Sequence, residues 1–308
     1  MASETAAEAL AHYSIQSSIT DPGRQAQLLD GLPVEIPELV QVALGLVLHP
    51  VAAERAGMEL PPERKRDLEL RYVPRMLGRI QELDPRPLTV ARPPERRLIG
   101  NCRDSAVLFC AMLRHQGRPA RGRNGFATYF APDFYTDHWI CEYWHADQRR
   151  WVAVDPDVAP DPERTRFDFD TLDVPADRFL VAGRAWAVCR RGEADPARFG
   201  LPDAPDNGQG WIAAQVVRDL AALNKLELLA WDTWALGHSA FQGISEDDVA
   251  LLDHVASITT GSGNEEFPRI QALYSGDSRL TVPPVIKTLD AVAGGPPLDV
   301  ALIGAANG

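Results

Sequence analysis

The chain has 308 residues, is 45% hydrophobic and 24% charged, and carries a net charge of −12. That length can bury one large core or two smaller ones, and the composition is that of a globular protein. The acidic balance excludes a nucleic-acid-binding surface as the main function, and no apolar stretch reaches the roughly 18 residues of a membrane-spanning helix.

In chain order, the first eight residues lack a basic region followed by an apolar one, so no secretory signal is expected and a cytoplasmic location follows. Residues 1–95 read as a helical N-terminal segment. Glu4 to Gln16 and Glu35 to Leu48 are amphipathic or apolar, and Pro61 leads a helix to about Leu83 that Pro74 should kink or split. Pro85, Pro87, Pro93 and Pro94 form a connector. Arg92, Arg96 and Arg97 beside it suggest a basic lip or, more simply, a solvated face. The segment 96–160 holds the chemistry. Residues 161–292 read as a mainly helical extension, with helices expected over Gly183 to Arg191, Trp211 to Leu229, Glu246 to Thr260 and Phe267 to Leu273. Residues 293–308, rich in Gly, Pro and Ala, read as a loose tail.

Within 96–160, Asn101 is an N-cap, Cys102 opens a helix, the run Ala106 to Leu113 is apolar throughout, and Gly117 is a stop. A cysteine at a helix N-terminus feels the positive end of the macrodipole, which predicts a lowered thiol pKa. Cys110, deeper in the same helix, reads as a small buried hydrophobe. A hairpin follows: a strand from His138 to His145, a turn at 146–149, and a strand from Arg150 to Asp155. Period 2 puts His138, Ile140, Glu142 and Trp144 on one face. A thiol, an imidazole and a carboxylate in this order are the parts of a cysteine nucleophile with its base and orienter. Asp157 is the alternative to Asp155. His238 and His254 read as surface or core residues, and Trp186, Trp211, Trp231 and Trp234 as packing residues. Four cysteines without close pairs suggest neither a disulfide framework nor a zinc site, and nothing implies a metal or cofactor.

Four stretches carry a resemblance: Cys102-Arg-Asp-Ser-Ala-Val-Leu108, Gly117-Arg-Pro-Ala-Arg121, Asp137-His-Trp139 and Trp151-Val-Ala-Val-Asp-Pro156. Together they resemble the transglutaminase-like superfamily, within the wider papain-like cysteine fold. The family usually has His-Ala-Trp where this chain has His138-Trp139. The resemblance implies an α+β core, a Cys-bearing helix packed on an antiparallel sheet, flanked by helical segments, with Cys102, His138 and Asp155 as the triad. Val217 to Leu229 followed by Trp231 to Trp234 is similar to an extension found in a bacterial subgroup. The activity implied is acyl transfer through a thioester, either hydrolysis or transamidation. The partners would be a small-molecule or peptide acyl donor and an amine acceptor. The backbone N–H of Cys102 would meet the oxyanion, with Asn101 or Trp139 as a further oxyanion or substrate contact. The alternative is a non-catalytic binding or scaffold protein on the same fold.

Overall fold

The computed structural model describes residues 2–302 except 160–165, 203, 262, 291 and 293, with side chains from residue 4. At its centre the helix Cys102–His115 lies against a five-stranded sheet. The helix starts on a capping box: Asn101 Oδ1 accepts from the N–H groups of Arg103 (3.0 Å) and Asp104 (3.3 Å), and Asp104 Oδ2 accepts from Asn101 N–H (2.9 Å). It ends at Gly117, whose φ of +73° suits glycine and lets Arg118 N–H reach the Leu113 carbonyl at 2.9 Å. Every residue from Arg103 to Arg114 is buried.

The sheet order is Arg150–Val154, Tyr135–His145, Ala120–Ala127, Phe179–Val181, all antiparallel. Phe199–Gly200 adds a short parallel pairing to Tyr135 and Thr136. Gly125 sits opposite both His138 and Val181 in this register. A Cβ there would lie 2.8 Å from the Val181 Cα, so the strand beside His138 closes only over glycine.

The core is stitched by buried ion pairs. Arg123 binds Asp219 with Nε–Oδ1 at 3.0 Å and Nη2–Oδ2 at 2.8 Å, and Asp219 Oδ1 also accepts from Asn124 N–H at 3.0 Å. Arg114 binds Glu227 at 3.0 Å, both fully buried. These contacts dock the helix Gln209–Leu223 and the loop after it onto the sheet and the central helix. Such pairs need both partners, because removing one strands a charge in a dry interior. The N-terminal helix Ala2–Ser14 closes on the same assembly through Tyr13, whose hydroxyl donates to the Leu223 carbonyl at 2.8 Å.

Several expectations are corrected. The split expected at Pro74 is present, but falls just ahead of it: a short helix Pro62–Lys65 and a 3₁₀ turn Arg66–Glu69 end before a new helix Val73–Leu83, with Pro74 in its first turn, where proline needs no N–H partner. Val47 and Leu48 leave the helix Ile36–Leu46 to pair in parallel with Leu98 and Ile99. The helix expected to reach Leu229 ends at Leu223, with Lys225 at positive φ. The tail is not wholly loose: Leu298–Ala301 pairs with Val285–Thr288, which pairs with Asp232–Thr233. Residues 293 and 303–308 of that tail lie outside the described residues. Arg92 is neither lip nor solvated face. It is 1% exposed, and its guanidinium donates to the carbonyls of Asp84, Arg86, Pro87, Leu88 and Val90. No described helix is long and apolar enough to cross a membrane.

Candidate active site

Cys102 is the first residue of the central helix and is half-buried against Ala106, Trp139 and Ala222. Its neighbour Arg103 anchors the helix start. The Arg103 guanidinium, fully buried, binds Asp104 Oδ1 at 3.0 Å, the Arg71 carbonyl at 2.7 Å and the Glu227 carbonyl. His138 stands in the strand Tyr135–His145, close enough to Cys102 for its ring to pull the thiol pKa down. Its Nε2 lies 2.9 Å from Asp155 Oδ2. Because Nε2 faces the carboxylate, Nδ1 is the nitrogen left for the thiol. Asp155 follows the last residue of the strand Arg150–Val154 and is fully buried. The structure therefore brings Cys102, His138 and Asp155 together, with a hydrogen bond between His138 and Asp155.

Asp155 rather than Asp157 faces the imidazole. Asp155 Oδ2 also accepts the Tyr129 hydroxyl at 2.6 Å, and its Oδ1 accepts Asp157 N–H at 3.1 Å. Its own N–H donates to the Thr171 carbonyl at 2.9 Å. The Asp157 carboxylate instead accepts Ser105 Oγ–H at 3.0 Å. The rings of Phe130 (4.8 Å), Tyr129 (6.2 Å) and Phe179 (6.3 Å) wall the imidazole from solvent.

The electrostatics correct one expectation. Burial pushes the Cys102 thiol up from its ordinary range; His138 pulls it back, and the nearby carboxylates of Asp157 and Asp137 add to the rise. The helix N-terminus does not by itself yield a low thiol pKa, because the sulfur is packed among apolar groups. His138 moves the other way from a simple buried histidine. Burial alone would lower it, but the Asp155 carboxylate and Cys102 outweigh burial and hold it well above its usual value. Each thus shifts the other's titration, His138 lowering the thiol and Cys102 raising the imidazole.

Of the two further candidates, Asn101 spends its Oδ1 on the helix cap, leaving its Nδ2 as the donor it can offer. Trp139 is buried beside Cys102, and its indole N–H has no acceptor among the described residues.

Three residues went unread in the sequence. Tyr129 belongs to the aromatic run Phe126 to Phe130, but nothing in that run marks it as a donor to Asp155. His49 lies beside the site because Val47–Leu48 pairs with Leu98–Ile99, and Gly100 N–H continues that pairing to the Leu48 carbonyl at 3.2 Å. His49 Nδ1 accepts Val51 N–H at 3.2 Å, which keeps the ring proton on Nε2. Burial lowers its pKa, opposed by the Asp157 carboxylate. Asp137, next to His138, accepts from Gln215 Nε2 (2.8 Å), Trp211 Nε1 (3.0 Å) and Asn124 Nδ2 (3.3 Å), so Trp211 supports the site rather than only packing. Cys110 is a buried thiol whose sulfur lies 2.9 Å from that of Cys141. Among the described residues, no three His, Cys, Asp or Glu side chains cluster to hold a metal ion.

A family model described as the transglutaminase-like superfamily matches residues 79–156. The chain carries a transglutaminase-like domain. The matched stretch is about a quarter of the chain and contains Cys102, His138 and Asp155. Searches of curated proteins and of solved structures gave no match. The transglutaminase-like domain accounts for the α+β arrangement of a cysteine-tipped helix on an antiparallel sheet, and the superfamily is often cysteine-dependent.

Proposed function

We propose that the protein is a cysteine-dependent acyl-transfer enzyme with Cys102 as nucleophile, His138 as base and acid, and Asp155 as orienter. The observation that carries this reading is the position of the His138 ring, beside the Cys102 thiol and 2.9 Å from Asp155. His138 Nδ1 takes the thiol proton, and the Cys102 sulfur attacks the carbonyl carbon of an amide or another activated acyl donor. The tetrahedral oxyanion is met by the Cys102 backbone N–H and by Asn101 Nδ2 or the Trp139 indole N–H. As the oxyanion collapses, the imidazolium returns its proton to the leaving group and a thioester remains. Water or an amine then gives up a proton to His138 and attacks the thioester, which releases the acid or the new amide and restores the thiol.

The substrates fitting this chemistry are a small-molecule or peptide acyl donor and, for transamidation, a primary amine. The carboxylates of Asp137 and Asp157 beside the thiol favour a cationic acceptor over an anionic one. A reduced bacterial cytoplasm suits a working thiol. The test is acyl-enzyme formation on p-nitrophenyl acetate, read by intact-protein mass, with and without a primary amine. The proposal expects an acetylated Cys102 in the native protein and none in Cys102→Ala. An amine that draws product toward the amide favours transamidation, and one without effect favours hydrolysis. Acetylation spread over other residues and unchanged in Cys102→Ala would overturn it.

A second reading, a non-catalytic binding protein, is favoured by one observation: burial raises the Cys102 thiol rather than lowering it.

A further inference from the structure

A cavity runs along the sheet from Ile140 to Trp144 of the strand that carries His138. Its volume is about 780 Å³, within the range of small-molecule sites. Six arginines line it against three carboxylates, Glu142, Asp173 and Glu265, in a chain whose net charge is −12. Positive charge is therefore concentrated here against the sign of the whole molecule.

The arginines are not equivalent. Arg121 and Arg123 form the floor and are committed to structure: both bind Glu142, at 2.7 and 3.3 Å, and Arg123 also binds Asp219. Arg150 pairs with Asp173 and Arg191 with Glu193 on exposed surface, where such pairs hold little energy and open readily. Arg184 differs. It is half-buried on the helix Ala182–Arg190, donates to the Ala176 carbonyl at 2.9 Å, and has no carboxylate partner among the described residues. Arg149, on the exposed hairpin turn, also lines the cavity and has no ion pair among the described residues. A half-buried guanidinium with one carbonyl partner is costly unless an anion completes it.

The remaining wall is aromatic. Trp144 and Trp151 meet edge to face at 5.7 Å. Trp151 is fixed by its indole N–H on Asn264 Oδ1 at 2.8 Å and by the Arg121 guanidinium over its ring at 4.0 Å. A flat apolar group can pack on this wall while the guanidinium forks of Arg149 and Arg184 grip an oxyanion.

We propose that this cavity binds an anionic small molecule, a phosphate or carboxylate carried on a flat apolar group. The Trp144 end of the cavity lies away from the triad, His138 and Trp144 being six residues apart on one strand, roughly 20 Å at about 3.3 Å per residue, while its other end reaches Ile140 and Phe179, which walls the imidazole. The proposal does not rest on the acyl-transfer reading.

The test titrates the native protein with phenyl phosphate, phthalate and uncharged phenol at matched ionic strength, read by tryptophan fluorescence and calorimetry. The expected result is saturable binding of at least one dianion and not of phenol. That binding weakens at least about tenfold in Arg149→Ala/Arg184→Ala and falls as salt rises. Tighter binding of phenyl phosphate assigns a phosphate, and tighter binding of phthalate assigns a carboxylate. The alkylation rate of Cys102 in the double variant should match the native protein. Should the double variant fail to fold, Arg149→Ala alone, exposed at the rim, still reads the effect. Binding of neither dianion, phenol binding as well as they do, or equal binding by the folded variant would overturn the proposal.

Discussion

The Tyr129 hydroxyl donates a 2.6 Å hydrogen bond to the same Asp155 oxygen that lies 2.9 Å from His138 Nε2. One carboxylate oxygen thus serves two donors, and part of its charge is held by the phenol rather than by the imidazole. Tyr129→Phe removes that competitor. The upper limb of the pH profile for Cys102 alkylation, set by His138, should move to higher pH, while the maximal rate falls by less than about tenfold. Loss of one hydrogen bond to a charged group costs about 1.5–3 kcal/mol of stability, measurable by urea melting. An unmoved upper limb would show that Tyr129 only fills space.

Asp155→Asn keeps the shape and removes the charge that holds His138 up. The imidazolium loses its principal support and the ring its tautomer, so alkylation of Cys102 near neutral pH should fall about a hundredfold or more. The upper limb should shift to lower pH, opposite to the Tyr129 variant. Asp157→Asn should leave that limb nearly in place, because Asp157 faces Ser105 rather than the ring.

His12 ties the N-terminal helix to an acid-sensitive interface. Burial, with Lys225 and Arg114 nearby, lowers its pKa to about 4. A histidine depressed in the folded state binds fewer protons there than in the unfolded chain between about pH 4 and the ordinary value near 6.5. Stability therefore rises with pH through that window and is lost as pH falls through it. His12→Gln should flatten this part of the stability curve measured by thermal melting, with little change above pH 7.

Gly125→Ala places a methyl group 2.8 Å from the Val181 Cα, between the strand Ala120–Ala127 that pairs with His138's strand and the strand Phe179–Val181. Overpacking of this kind costs about 1–3 kcal/mol. Because Gly125 pairs with His138 and Phe179 of the displaced strand walls the imidazole, alkylation of Cys102 should slow with the loss in stability.

The central helix was legible because its boundaries are local chemistry: Asn101 caps, Asp104 reciprocates, Gly117 stops. The hairpin was legible because eleven residues of strand Tyr135–His145 carry enough aromatic and β-branched side chains to declare themselves. Val47–Leu48 and Leu98–Ile99 are pairs of only two residues, too short for a period, and their pairing spans fifty residues of chain. His49 was invisible for that reason. The Arg92 cluster misled because sequence shows charge but not the five backbone carbonyls that surround it. The thiol's pKa followed burial by Trp139 and Ala222, contacts made by segments far from the helix N-terminus.

The most direct test of the central claim is the rate of Cys102 alkylation by iodoacetamide against pH, read by peptide mass spectrometry in the native protein and in His138→Ala. The account predicts that Cys102, with His138 to take its proton, outpaces Cys110, Cys141 and Cys189 and loses that advantage in the variant. Equal, slow alkylation of Cys102 in both proteins, rising only at alkaline pH, would contradict a working thiol–imidazole pair.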